Sequence, residues 1–118
     1  MMRRIADMPF GTIGFEAVGD VDEDEWENAV APVLRQELAE GRKVRLLYAL
    51  APRTRQVMAD TGFRARHAES LERVAVVSDE DWMRPTLRTL AFILPGRAKG
   101  FRVRELAHAK AWLAADPD

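Results

Sequence analysis

An α/β fold with a largely parallel sheet of about five strands and about four flanking helices is predicted by three features of the sequence. Two short runs, "KVRLLYAL" in its second half and "VAVV", are apolar without alternation, as in strands covered on both faces. They alternate with segments of helical periodicity, which implies crossover connections. The cysteine-free chain of 118 residues is also long enough to bury about two-thirds of its unfolded surface as one domain, residues 1–118, without a disulfide or metal.

The elements follow in order. "RRIADM" and "FGTIGFEAVG" alternate enough to form two paired strands, and their glycines suit a turn better than a phosphate loop. "DVDEDEWENAVAPVLRQELAEG" is the clearest helix, with Trp26, Val30, Val33, Leu34 and Leu38 on one stripe. Asp22 caps its first turn with Glu25 three residues on, and Gly41 suits the position past its end. Pro32 should kink it, because proline removes one helical hydrogen bond. The run from Asp22 to Glu25 lacks the spacing of a calcium loop, so capping is its role and no metal is expected.

After the strand "KVRLLYAL" come helical segments Thr54 to His67, Glu80 to Ile93 and Arg104 to Ala114, with strands at "VAVV" and near "KGFRV". In the last helix Leu106, Ala109, Trp112 and Leu113 share one face, while His108 and Lys110 point away. The closing "AADPD" frays.

"VAVVSDEDWMRP" raises the question of chemistry, because Asp79, Glu80 and Asp81 follow a buried strand. Three consecutive solvated acids do not supply two carboxylates in unlike environments, so they read as a helix start capped by Ser78 or Asp79. His67 and His108 stand alone. No nucleophile motif, P-loop or dinucleotide fingerprint occurs. The reading is therefore a non-enzymatic protein with no cofactor.

Net charge is −1, but residues 1–41 carry ten acids and three bases (net −7), and 42–118 carry nine acids and fifteen bases (net +6). These halves can neutralise each other within the fold or between two copies. One tyrosine and scattered aromatics give no stacking platform, which argues against nucleic acid. No secretory signal and no apolar run near 20 residues is present, so a cytoplasmic protein is expected.

Two groups are candidates for binding. Met58, Phe63, Trp82, Met83, Leu87 and Phe92 are bulky and fall on two consecutive helical segments, where a surplus over core needs forms an adaptable apolar pocket. Arg84 and Arg88 could hold a carboxylate there. Arg53 and Arg55 recur eleven residues later as Arg64 and Arg66, about three helical turns on, giving a basic face for anionic headgroups. A solvated face neutralised by Glu69 or Glu72 is the plainer reading of those arginines.

The run "LERVAVVSDEDW", then "FILPGRAKGF" and "ELAHAKAWL", resembles the SpoIIAA-like family, relatives of the STAS domains of anti-sigma-factor antagonists. The first helix and following strand look similar too, as do Asp60 and His67, so the resemblance covers about Gly11 to Leu113. It implies a mixed sheet with an antiparallel opening pair, no catalysis, and binding of nonpolar ligands near the second and third helices, where a fatty acid could place its tail among the apolar set and its carboxylate near Arg84 or Arg88. It also implies association with membrane surfaces, hence a cytoplasmic protein peripheral to a membrane. One departure stands out. The antagonists' phosphorylated serine has no counterpart in "LAPRTRQV", where Thr54 is the only hydroxyl. The alternative function is a protein-protein regulatory module or homodimer without a phosphoserine switch.

Overall fold

The apolar runs assemble into one five-stranded sheet. The computed structural model describes residues 1–51, 55–57, 70–79, 87–88, 92 and 95–115, with backbone alone for residues 55–57, Glu23 and Trp26. The strands are β1 (Met2–Ile5), β2 (Thr12–Ala17), β4 (Val44–Leu50), β6 (Leu71–Val77) and β7 (Ala98–Phe101), in the order β1-β2-β4-β6-β7. β1 runs antiparallel to β2, with Met2 opposite Ala17, and the other neighbours are parallel. This is the mixed sheet with an antiparallel opening pair that the family resemblance implied. Two short strands, β3 (Asp20–Asp22) and β5 (Arg55–Val57), pair separately in parallel.

Side-chain alternation divides the core between the two faces of the sheet. Leu46, Tyr48 and Leu50 of β4 join Val74 and Val76 of β6, packing with Val30 and Leu34 on one side. Leu47, Ala75 and Val77 face the other way, against Ala109 and Leu113. Covering on both faces explains why β4 and β6 read as apolar without alternation.

The acidic first helix is two helices, α1 (Glu23–Ala29) and α2 (Ala31–Ala39). The break falls at Val30, and Pro32 sits in the first turn of α2, where the hydrogen bond proline cannot donate has no partner to lose. The predicted kink is thus a break of one residue, with Val30 itself still in the right-handed helical region. Asp22 does cap α1, its Oδ1 accepting the Glu25 N–H at 2.8 Å. Gly41 ends α2 with φ of 79°. There the Arg42 N–H donates to the Glu37 carbonyl and the Gly41 N–H to that of Leu38, both at 2.9 Å, a Schellman termination. Val30 and Leu34 are fully buried, whereas Leu38, expected on the inner stripe, is exposed near the helix end.

The C-terminal helix α3 (Leu106–Ala114) follows a short 3-10 turn, Val103–Glu105. Ala109 and Leu113 are buried, Leu106 and Trp112 pack beside them, and His108 is exposed as expected. Lys110 departs from expectation: it is half-buried and its Nζ lies 3.7 Å from the Asp7 carboxylate. α3 ends on two arginines of the sheet. Arg45 donates to the carbonyls of Leu113 and Ala115 at 3.1 and 2.8 Å, and Arg73 to those of Trp112 and Ala115, both at 2.9 Å. They satisfy acceptors that a helix leaves free, at the end where positive charge is favoured.

The helix expected to open at Thr54 is corrected at its start, because residues 55–57 are extended and hydrogen-bonded to β3. Residues 58–69 and 80–86 lie outside the described residues. Leu87, Arg88 and Phe92 are helical, as the range Glu80 to Ile93 requires.

Candidate functional site

Leu87, Arg88 and Phe92 are the candidate ligand residues that the structure describes. Leu87 is half-buried and packs against the core of the α1–α2 face. Its partner is Gly100 of β7, where a Cβ would lie 2.6 Å from Leu87 Cδ1. The missing side chain at Gly100 therefore lets the helical segment approach the sheet. Arg88 is exposed, and the Phe92 ring is 87% exposed. Leu87 is thus seated on the sheet, while Arg88 and Phe92, each on helical backbone, carry a cation and an aromatic ring toward solvent.

Met58, Phe63, Trp82, Met83 and Arg84 lie outside the described residues, as do Arg53, Arg64 and Arg66. Arg55 stands opposite Asp20 in the β3–β5 pairing. Its strand conformation removes the premise that a helical repeat aligns it with Arg66.

The acids of "SDED" divide. Glu80 and Asp81 lie outside the described residues, while Asp79 is exposed at the end of β6, its Oδ1 accepting the Val103 N–H at 3.0 Å. It ties the strand end to the turn before α3, a structural use of the carboxylate. Among the described residues no group of three or more His, Asp or Glu could hold a metal ion. No helix among them is long and apolar enough to cross a membrane.

Phe10 is a surface residue that the sequence reading missed. It is fully exposed on the loop before β2, next to Gly11 with φ of 81°. It borders a cleft of about 440 Å³ lined also by Ile13, Arg42, Lys43 and Val44 at the starts of β2 and β4. Arg42 is engaged there with Glu37, at 2.6 Å, and with Glu40. The Glu37 hydrogen bond, then the charges of Glu37 and Glu40, raise its pKa above the ordinary arginine value. Lys43 is exposed and forms no ion pair among the described residues. Phe10 thus lies at the amino-terminal end of the parallel strands β2 and β4. A second cleft, of about 380 Å³, lies between β1 and α3 and is lined by Arg3, Ile5, Glu16, Ala49, Leu106 and Lys110.

Comparison with known proteins supports the same architecture. One solved structure, an uncharacterised protein of the DUF3478 family with a SpoIIAA-like fold from Shewanella loihica PV-4, aligns with a TM-score of 0.64 at 19% identity. The alignment covers 96% of this chain and 93% of that one, and at this identity it speaks for the fold. No curated protein matches the sequence. The SpoIIAA-like family model matches residues 12–114, nearly the whole strand and helix order described above, and the chain belongs to the SpoIIAA-like family.

Proposed function

We propose that this protein is a non-catalytic binding module that takes up a lipid-like, nonpolar ligand beside the Leu87–Phe92 segment and rests peripherally on an anionic membrane surface. The observation that carries the reading is the exposure of Phe92 on helical backbone, four positions from an exposed arginine. An aromatic ring with a neighbouring cation suits the boundary between acyl chains and headgroups. Phe10 and Lys43 offer the same pairing of ring and cation beside the starts of β2 and β4. Transferring a phenylalanine side chain from water contributes about 1.5–3 kcal/mol, so two rings and a few cations give reversible attachment. The part assigned to Met58, Phe63, Trp82, Met83 and Arg84 in lining the ligand rests on the sequence pattern.

Flotation with vesicles of phosphatidylserine and phosphatidylcholine tests the surface, and native mass spectrometry with added fatty acid tests the ligand. Phe92→Ser should lower vesicle binding several-fold without changing stability, since the ring is exposed. Wild-type protein that neither floats nor takes up fatty acid overturns the reading.

A further inference from the structure

β7 ends the strand order, so among the described residues one side of it has no strand beside it. Its inward side is fixed by two hydrogen bonds: the Arg97 carbonyl accepts the Val74 N–H at 2.8 Å, and the Phe101 carbonyl accepts the Ser78 N–H at 3.0 Å. Residues of a strand direct their main-chain groups alternately to either side, so Arg97, Lys99 and Phe101 face β6. Ala98 and Gly100 then face outward. Their two N–H and two C=O groups are paired with nothing among the described residues.

Around this edge the sequence "RAKGFRVR", residues 97–104, holds four cations and no acid. Lys99, Arg102 and Arg104 are exposed. None of the four cations forms an ion pair among the described residues: Lys99 lies over the Phe101 ring at 5.3 Å, while Arg97 and Arg102 donate only to the carbonyls of Leu71 and Asp79. The nearby carboxylates of Asp79 and Glu105 accept the backbone N–H groups of Val103 and Arg102.

We infer that the β7 edge is a docking site for an extended acidic peptide segment of another protein, which adds as a sixth strand and is held by these cations. Four observations favour this occupant. A sheet edge offers main-chain donors and acceptors at the spacing of another strand, and a peptide backbone matches it. Nucleic acid would match only the cations, since Phe101 is buried and offers no stacking face. The cations also repel the same edge of a second copy. The chain's own acidic stretch is already committed: Asp20–Asp22 pairs with β5, and the acids after it lie in α1. This inference is independent of the lipid reading.

The test is fluorescence anisotropy of the full chain with a short labelled peptide of alternating Thr and Glu. Parallel arms use the same peptide N-methylated at alternate residues, a Thr and Lys version, and oligothymidylate. The acidic peptide should bind saturably, with N-methylation weakening it at least about tenfold by blocking backbone pairing. Ala98→Pro removes one outward N–H and is tolerated on an edge strand, so it should weaken binding similarly. Lys99→Glu combined with Arg104→Glu should weaken it at least as much. Absence of binding, equal binding of the N-methylated peptide, tighter binding of oligothymidylate, or indifference to the charge reversals overturns the proposal. Should Ala98→Pro fail to fold, the N-methylated peptide carries the same test on the native protein.

Discussion

Replacing Gly100 with alanine probes whether the Leu87 segment is seated on the sheet. The new Cβ would lie 2.6 Å from Leu87 Cδ1, 3.4 Å from Cδ2 and 3.6 Å from Cγ. Carbon atoms rest at about 3.5–4.0 Å, so the leucine tip must retreat by roughly 1 Å. Such overpacking costs about 1–3 kcal/mol. Alanine also narrows the unfolded ensemble, which offsets about 0.4–1 kcal/mol, since Gly100 does not have a positive φ that alanine would resist. The net expectation is a loss of about 1 kcal/mol. In urea that lowers the midpoint by about 0.5–1 M with an unchanged slope. Leu87→Ala alone should also destabilise, because the side chain packs against the core. The double variant decides the matter. With the leucine tip gone the clash disappears and the methyl introduced by Gly100→Ala occupies part of the space, so the double loss should fall about 1–2 kcal/mol short of the summed singles. Additivity within about 0.5 kcal/mol, or a Gly100→Ala protein more stable than the parent, would refute the contact and unseat the helical segment on which the ligand reading stands.

Two further expectations concern the scaffold. Leu34→Ala should cost about 2–5 kcal/mol in urea unfolding, because Leu34 is fully buried where α2 meets the sheet. Gly41→Ala should cost about 1–2 kcal/mol and Gly41→Asn clearly less; nothing lies within 4 Å of an added Cβ, so the difference measures backbone conformation rather than crowding.

The five strands of the main sheet were legible because their signals are local. β4 and β6 lie between two packed faces, and an unbroken apolar run is what that position selects. The cap at Asp22 and the stop at Gly41 were readable for the same reason, since each acts within a few residues of itself. Arg55–Val57 was misread as helix because its partner, β3, lies more than thirty positions away, and nonlocal pairing outweighs helical propensity over so short a stretch. Lys110 was misread on helix geometry alone, because the side chains around it in the cleft between β1 and α3, Ile5 and Ala49 among them, come from elements distant in sequence.

The two surfaces differ in the same way. Phe92 and Leu87 could be singled out from the sequence as bulky residues on one segment, but which of them faces solvent depends on Gly100, contributed by another element. The β7 edge was invisible for a stronger reason. Its openness is a property of strand order, and only the order β1-β2-β4-β6-β7 turns the cations of "RAKGFRVR" from an ordinary basic turn into the border of unpaired main chain. Charge by itself gives a solvated face, and a free edge by itself gives an aggregation hazard that one lysine would blunt. Four cations beside two outward residues select among strands, admitting those that bring acids and turning away copies of the same edge.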